Sequence, residues 1–186
     1  MTEIVVSDAN AIESTVRSAA TGDEVAFARL VAAHHASMSR VAFVICGDAE
    51  TTQDAVQSAW AIAWRRIGML RDPSQVRAWL IAIAANEARQ AVRRGRRVAL
   101  VDISDDVARA DGADADQAIE LVDLQRVLQS LSTQERSLLA MRYAAGLESG
   151  DIARQLGMSA SGVRSRLARL LDRLRHDLAL DSEADR

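Results

Sequence analysis

Residues 148–175, ESGDIARQLGMSASGVRSRLARLLDRLR, predict two helices joined by a tight turn. Gly157 can adopt the left-handed conformation that such a turn requires, and the hydroxyl of Ser159 can cap the second helix. Ala153 is small enough to let two helices cross closely, and Val163 returns an apolar side chain to the crossing. This spacing is typical of a helix-turn-helix, which favours contact with DNA.

The second helix of this motif predicts one apolar stripe and one polar face. At about 100° per residue, the stripe collects Val163, Leu167, Leu170, Leu171 and Leu174. The opposite face carries Ser161, Ser165 and Arg169, and long basic side chains flank it at Arg164, Arg166 and Arg173. We interpret Ser165 and Arg169 as candidates for base readout and Arg164 and Arg166 as candidates for phosphate contacts. The alternative is a solvated amphipathic helix with ordinary surface charges.

The composition predicts a soluble cytoplasmic protein without a metal or a disulfide. The chain has 186 residues, of which 49% are hydrophobic, and neither a signal-peptide pattern nor a membrane-length apolar run is present. Cys46 is the only cysteine, and His34, His35 and His176 form no metal-ligand spacing with it. The net charge of -3 argues against a protein that coats DNA freely.

The N-terminal half predicts an unpatterned tail followed by successive helices. Residues 1–20 are interpreted as a mobile tail or a frayed helix. Thr21 and Glu24 suggest a capping box for a helix that ends at Gly47, and Asp48 can cap the next helix.

The helix after Asp48 carries polar and aromatic residues together. Asp54 and Gln57 lie on its polar side, and Trp60 and Trp64 supply large side chains. Polar residues beside large aromatics are typical of an interface anchor, although burial in the core is expected for at least one of the two tryptophans.

A basic block is followed directly by an acidic stretch. Residues 65–97 contain nine arginines and two acidic residues, and the block ends in RRGRR. Such an excess favours a polyanion as partner. Residues 101–123 contain eight acidic residues and one arginine, with few large apolar groups, and therefore predict an interdomain linker.

The expected fold is all-α, with two small helical domains joined by an acidic flexible linker. The second domain adds a capping box at Ser132 and Glu135 and a turn at Gly146 before the helix-turn-helix. The predicted bounds are a tail over 1–20, a first domain over 21–98, a linker over 99–117, a helix-turn-helix domain over 118–180 and a tail over 181–186.

The order of these features resembles the extracytoplasmic-function group of bacterial sigma factors. The segment DAVQ at 54–57 with Trp64 is similar to the helix by which these factors grip the clamp helices of RNA polymerase. VRAWLIAIAANEA at 76–88 is similar to the segment that melts and reads the minus-ten promoter element. ERSLLAMRYAAGL and GVRSRLARLLDRLR, at 135–147 and 162–175, resemble the domain that reads the minus-thirty-five element.

The resemblance implies a role for each candidate side chain. Minus-thirty-five contacts are implied for Ser161, Arg164, Ser165, Arg166 and Arg169. Minus-ten contacts are implied for Arg77, Trp79, Asn86, Arg93 and Arg94. Polymerase contacts are implied for Asp54, Gln57, Trp60 and Trp64. The implied partners are the clamp helices and flap of core polymerase, promoter DNA, and an anti-sigma factor or another regulator.

The sequence departs from the family pattern at a few positions. Ala85 replaces a basic residue before Asn86, Glu148 and Gly150 replace the usual helix-start residues, and Trp60 replaces a different aromatic. These changes bear on promoter preference rather than on class.

No catalytic constellation or cofactor motif is visible, so catalysis would belong to the polymerase. A stand-alone helix-turn-helix regulator and a sigma-like adaptor remain as alternatives.

Overall fold

The computed structural model describes residues 2–99, 127–128 and 130–184, and all regular elements in these ranges are helical. The α-helices are α1 (Thr2–Ala20), α2 (Glu24–Cys46), α3 (Ala49–Arg66), α4 (Val76–Ala99), α5 (Thr133–Leu139), α6 (Ser149–Leu156) and α7 (Ala160–Ala184). Short 3-10 turns at Ile67–Met69 and Pro73–Gln75 join α3 to α4, and a π-helical turn at Ala140–Ala144 follows α5. The all-α prediction is confirmed for these ranges. None of the described helices is both long and apolar enough to cross a membrane.

Most of the predicted helix boundaries are confirmed, with one correction. Asp48 accepts a hydrogen bond from the Thr51 backbone N–H at 2.7 Å, and Ser132 and Glu135 form a complete capping box. The capping box predicted at Thr21 is wrong, because the side chain of Asp23 caps α2 instead. The sequence allowed both assignments, since an aspartate two residues after a threonine is an equally good cap.

The predicted N-terminal tail is also wrong. Residues 2–20 form α1, which packs against α2 and both 3-10 turns, and Val16 and Ala19 are each 2% exposed. The apolar pattern of α1 is weak in the sequence, because one of these two buried residues is an alanine. At the other end of the chain, α7 continues to Ala184, past residue 180 where a tail was predicted to begin.

Helices α2, α3 and α4 form the core of the first domain and make the most extensive contacts in the structure. Ala42, Ala59 and Ala84 are fully buried, which allows the helix axes to approach closely. Met38 and Leu80 are among the large side chains that fill the remaining space.

The second domain is built as the sequence predicted. Gly157 is left-handed with φ 64°, and the Ser159 hydroxyl accepts a hydrogen bond from the Gly162 backbone N–H at 3.0 Å. Val163 and Ile152 are fully buried between α6 and α7. The predicted apolar stripe of α7 is therefore confirmed, with its first, second and third members buried and the last two partly buried.

The two domains also pack against each other. α2 contacts α5 and the π-helical turn, and α4 contacts α5 and α6. Arg136 of α5 is only 4% exposed and therefore belongs to the packed interior. Of the predicted acidic linker, only residue 99 lies within the described residues.

Candidate nucleic-acid and protein interface

Every candidate side chain on α7 is accessible to a partner. Ser161, Arg164, Ser165, Arg166 and Arg169 are all exposed. They are held by the buried stripe beneath them and by the turn at Gly157, which fixes the angle between α6 and α7. A rigid helix that presents two serines and three guanidinium groups can donate hydrogen bonds to base edges and phosphates.

Arg166 and Arg169 line one groove between α7 and the start of α5. The groove has a volume of about 420 Å³, and Arg173 lines it too. Glu135 pairs with Arg173 at 2.7 Å. Arg169 also donates from Nε to the Ser165 carbonyl oxygen at 3.2 Å. Sequence reasoning separated a base-reading Arg169 from a phosphate-binding Arg166, whereas their side chains share this groove.

The Glu135 carboxylate is stabilised at the rim of this groove. Burial by itself raises its pKa, but hydrogen bonds from Ser132 and the ion pair with Arg173 outweigh that effect, so that the pKa lies below its usual value. Glu135 therefore stays ionised at neutral pH and keeps Arg173 engaged. Arg166 and Arg169 are thus the guanidinium groups of this groove that make no ion pair within the described part of the chain.

A second groove lies between α3 and α4. It has a volume of about 510 Å³ and contains two predicted minus-ten residues, Trp79 and Asn86. The other lining residues are Ile62, Arg65, Arg66, Ala82, Ile83, Glu87, Gln90 and Gln155. An aromatic ring, amide groups and two guanidinium groups around one groove are suited to a nucleotide, because the ring can stack on a base while the cations contact phosphate.

The other predicted minus-ten residues lie outside this groove. Arg77 donates a hydrogen bond to the Ala145 carbonyl oxygen in the second domain. Burial and the nearby charge of Arg77 lower the pKa of His34, which favours its neutral form. Arg93 and Arg94 are exposed further along α4. The guanidinium of Arg77 is therefore engaged in a contact between the two domains, which the sequence did not indicate.

A polar cluster on α4 was missed by sequence reasoning. Glu87 is 7% exposed and accepts hydrogen bonds from Asn86 Nδ2 at 3.2 Å and from Gln90 Nε2 at 2.9 Å. Arg89 donates to Asn86 Oδ1 at 3.3 Å. The spacing of Asn86 and Gln90 by four residues places them on one helix face, and this was the available signal.

The candidate polymerase-binding residues on α3 divide into two kinds. Asp54 and Gln57 are exposed. Trp60 is half-buried and donates from Nε1 to His35 Nδ1 at 3.2 Å, and Trp64 is 38% exposed. Both indole rings make edge-to-face contacts with Phe27, with centroids 5.7 Å and 4.9 Å away. The tryptophans therefore stabilise the junction of α2 and α3 while keeping part of each ring accessible.

The first helix of the helix-turn-helix closes one end of the α3–α4 groove. Gln155 lines the groove, and Arg154 Nη2 donates to Gln75 Oε1 at 3.0 Å. The second domain thus touches the loop that precedes α4. Sequence reasoning could not find these contacts, because they join residues on either side of the predicted linker.

Comparison with known protein families gives two matches in chain order. The family model Sigma-70 region 2 matches residues 30–98, and the family model Sigma-70, region 4 matches residues 121–174. The first range contains both the α3 surface and the α3–α4 groove. The second contains the helix-turn-helix.

Curated relatives include proteins from two bacteria. The chain is 32% identical over 168 residues to the probable RNA polymerase sigma factor RfaY of Xanthomonas campestris pv. campestris, which covers 86% of this chain but only 42% of that protein. It is 32% identical over 153 residues to the ECF RNA polymerase sigma factor SigM of Mycobacterium tuberculosis, with 82% of this chain and 77% of SigM covered.

Two solved structures share the fold. CnrH, in complex with the cytosolic domain of CnrY, is 26% identical, with a TM-score of 0.72 over 92% of this chain and 99% of that chain. The sigma factor RpoE from Bartonella quintana, in complex with the anti-sigma factor NepR, is 25% identical, with a TM-score of 0.68 over 83% of this chain and 98% of that chain.

Proposed function

Because this chain belongs to the ECF group of RNA polymerase sigma factors, we propose that it binds core polymerase in the cytoplasm and directs it to promoters. The observation that carries the proposal is the occurrence of two sigma regions in order, one with a nucleotide-sized groove and one with a helix-turn-helix. A stand-alone helix-turn-helix regulator does not require sigma region 2 or its groove. The polymerase supplies the catalysis, and this chain supplies promoter recognition.

Recognition of the minus-thirty-five element is assigned to α7. Its exposed serines and arginines can enter the major groove while the buried stripe holds the helix on the domain. Arg166 and Arg169 lie together beside α5, at the side of this face. Ser161, Arg164 and Ser165 complete the surface that we assign to DNA.

We expect Arg169→Ala and Arg166→Ala to have different effects on selectivity. Arg169 is closer to the centre of the polar face, so its loss should cost on the order of 1–3 kcal/mol at the preferred site and relax sequence choice. Arg166→Ala should weaken binding to all duplexes alike and reduce the dependence of the binding affinity on salt. Titration of specific and scrambled duplexes, in the presence of core polymerase, measures both effects. Equal losses on both duplexes for both variants would contradict the assignment.

Recognition of the minus-ten element is assigned to the α3–α4 groove and the basic end of α4. Trp79 can stack on an unpaired base, and Asn86 can hydrogen bond to its edge. Arg93 and Arg94 are exposed and can contact the backbone of the same strand. Arg77 can join them only after its contact with Ala145 breaks.

Binding to polymerase is assigned to the outer face of α3. The side chains of Asp54 and Gln57 are exposed and so lie outside the core. Trp60 and Trp64 present partly accessible rings beside them. An exposed polar pair beside partly buried aromatics matches the composition of interface hot spots.

The variant Asp54→Ala/Gln57→Ala should reduce core binding and leave the melting temperature nearly unchanged. Both side chains are on the surface, where substitutions usually alter stability by less than about 0.5 kcal/mol. A pull-down with core polymerase and thermal unfolding measure the two properties. Gln53→Ala/Glu50→Ala, at exposed positions one turn earlier on the same face, shows how far the binding surface extends toward the start of α3. A large fall in melting temperature with normal core binding would show instead that the pair is structural.

The function is tested by adding the purified chain to sigma-free core polymerase and fragmented genomic DNA. New transcription start sites that share upstream sequence elements are the expected result. Sequence-specific binding to duplex without core would favour the stand-alone regulator. Binding to core or to another sigma factor, without any start site, would favour the adaptor.

The proposed partners also include a protein regulator. CnrH and RpoE, the two structural relatives, were solved with CnrY and with the anti-sigma factor NepR respectively. By analogy, we assign an anti-sigma factor or a similar regulator to this chain. Co-purification of a protein that abolishes core binding when added back would support this assignment.

A further inference from the structure

Glu87 is an acidic side chain in a groove that otherwise favours a polyanion. It is 7% exposed and lines the α3–α4 groove together with Arg65 and Arg66. Within the described residues, its hydrogen bonds are with neighbouring amides rather than with these arginines. A carboxylate beside a phosphate-binding surface weakens the attraction of DNA, so its presence calls for a different role.

The contacts of Glu87 fix the orientation of two amide groups. Asn86 and Gln90 both direct their NH₂ groups to Oε1 of Glu87, because an amide nitrogen can only donate and a carboxyl oxygen accepts. The guanidinium of Arg89 can only donate, and it faces the carbonyl oxygen of Asn86. The orientation of the Asn86 amide is therefore fixed by hydrogen bonds at both its nitrogen and its oxygen. For Gln90, the carbonyl oxygen is the end that does not face Glu87.

This orientation determines what the groove can recognise. The amide oxygen of Gln90, and the second lone pair of the Asn86 oxygen that Arg89 leaves unused, are acceptors at a surface that also carries the Trp79 ring. An unpaired base is read on its Watson–Crick edge, where every base carries at least one N–H donor at a different position. Amide oxygens held in fixed positions therefore favour the base whose donors match those positions.

We propose that Glu87 is a positioning residue that holds the amides of Asn86 and Gln90 in one orientation at the groove, and that this orientation sets the base preference at one minus-ten position. The proposal rests on the proposed function, because it concerns the promoter-reading groove. Glu87 acts through its neighbours and has no base contact of its own.

The test compares wild type with Glu87→Gln in reconstituted polymerase on a promoter library randomised across the minus-ten element. A glutamine at 87 is almost isosteric, but it can donate as well as accept, so both neighbouring amides can reverse. Wild type should enrich one base at one position, and Glu87→Gln should reduce that preference by about tenfold, within the range for one hydrogen-bonded base contact. Glu50→Gln, the same change at an exposed position of α3, should leave the preference unaltered.

A second variant avoids changing the nearly buried carboxylate. Gln90→Met removes one amide oxygen and keeps the length of the side chain, and it should weaken the preference at the same position. Melting temperature and core pull-down should stay close to wild type for both variants.

The outcomes separate this proposal from the proposed function. If wild type yields no start sites, the proposed function fails and the inference fails with it. Start sites with an unchanged base preference in Glu87→Gln and Gln90→Met would overturn the inference alone. A lower melting temperature with the wild-type preference intact would show that Glu87 is merely structural, which also overturns it.

Discussion

Val163→Asp should unfold the helix-turn-helix and abolish promoter-specific transcription. Val163 is fully buried where α6 and α7 cross. An aspartate there would be an unpaired buried charge, which costs on the order of 3–5 kcal/mol, comparable with the whole stability of a small domain. The first domain should stay folded, because its most extensive contacts are among α2, α3 and α4.

Hydrogen exchange and transcription assays measure this result. Amide protection should be lost across α5 to α7 and retained in α2 to α4. Ala168→Asp is the matched control, since it adds the same charge at an exposed position of the same helix and should leave the melting temperature nearly unchanged. Loss of protection in α2 to α4 as well would show that the two domains unfold as one cooperative unit.

Addition of core polymerase should raise promoter affinity by on the order of 10²–10⁴-fold, the gain expected when two weak contacts become bivalent. The free chain should bind duplex weakly for two reasons. The acidic residues between 101 and 123 offset the attraction of the basic surfaces for DNA. The domain contacts at Gln75–Arg154 and Arg77–Ala145 also keep the two reading surfaces together.

The distance between promoter elements explains why these contacts must open. Elements centred near minus ten and minus thirty-five are about 25 base pairs apart, which is about 85 Å of B-form DNA at about 3.4 Å per step. In the structure, Arg154 of the helix-turn-helix domain lies 3.0 Å from Gln75, in the loop before α4. Core polymerase therefore has to hold the two domains apart if both elements are to be read.

Duplex titrations at several salt concentrations test this prediction, with and without core polymerase. A variant with six aspartates of the acidic stretch changed to asparagine should bind free duplex more tightly but less selectively than wild type. The changed residues are Asp102, Asp105, Asp106, Asp111, Asp114 and Asp116. Tight, sequence-specific binding by the unmodified chain alone would contradict the prediction and support a stand-alone regulator.

Local patterns in the sequence predicted the helix-turn-helix well. Gly157, Ser159 and Val163 act through backbone conformation, capping and burial within a few residues, so their roles do not depend on distant parts of the chain. The resemblance to the family, rather than such local patterns, pointed to Trp79 and Asn86, which the fold brings to one groove. Their contacts with DNA remain predictions.

Contacts between distant residues could not be predicted in the same way. Arg77 is separated from Ala145 by most of the basic block and the acidic stretch, and no sequence period relates them. In the sequence, Glu87 is one of two acidic residues among many arginines, and only the structure shows that it is buried and hydrogen bonded to Asn86. The packing of α1 was missed because small residues such as Ala19 give little hydrophobic signal.

The position of Cys46 makes the chain suitable for chemical labelling without engineering. It is the only cysteine, is half-buried, and lies with Sγ 3.9 Å from the Ala88 carbonyl oxygen. Burial raises the pKa of its thiol to about 11, despite an opposing hydrogen bond with Thr52, so that at neutral pH it is a poor nucleophile. The charge of Arg136, from α5, slightly opposes this rise in pKa, so separation of the domains would remove an effect that favours the thiolate. Loss of the Arg136 charge should therefore slow the maleimide reaction when core polymerase separates the domains.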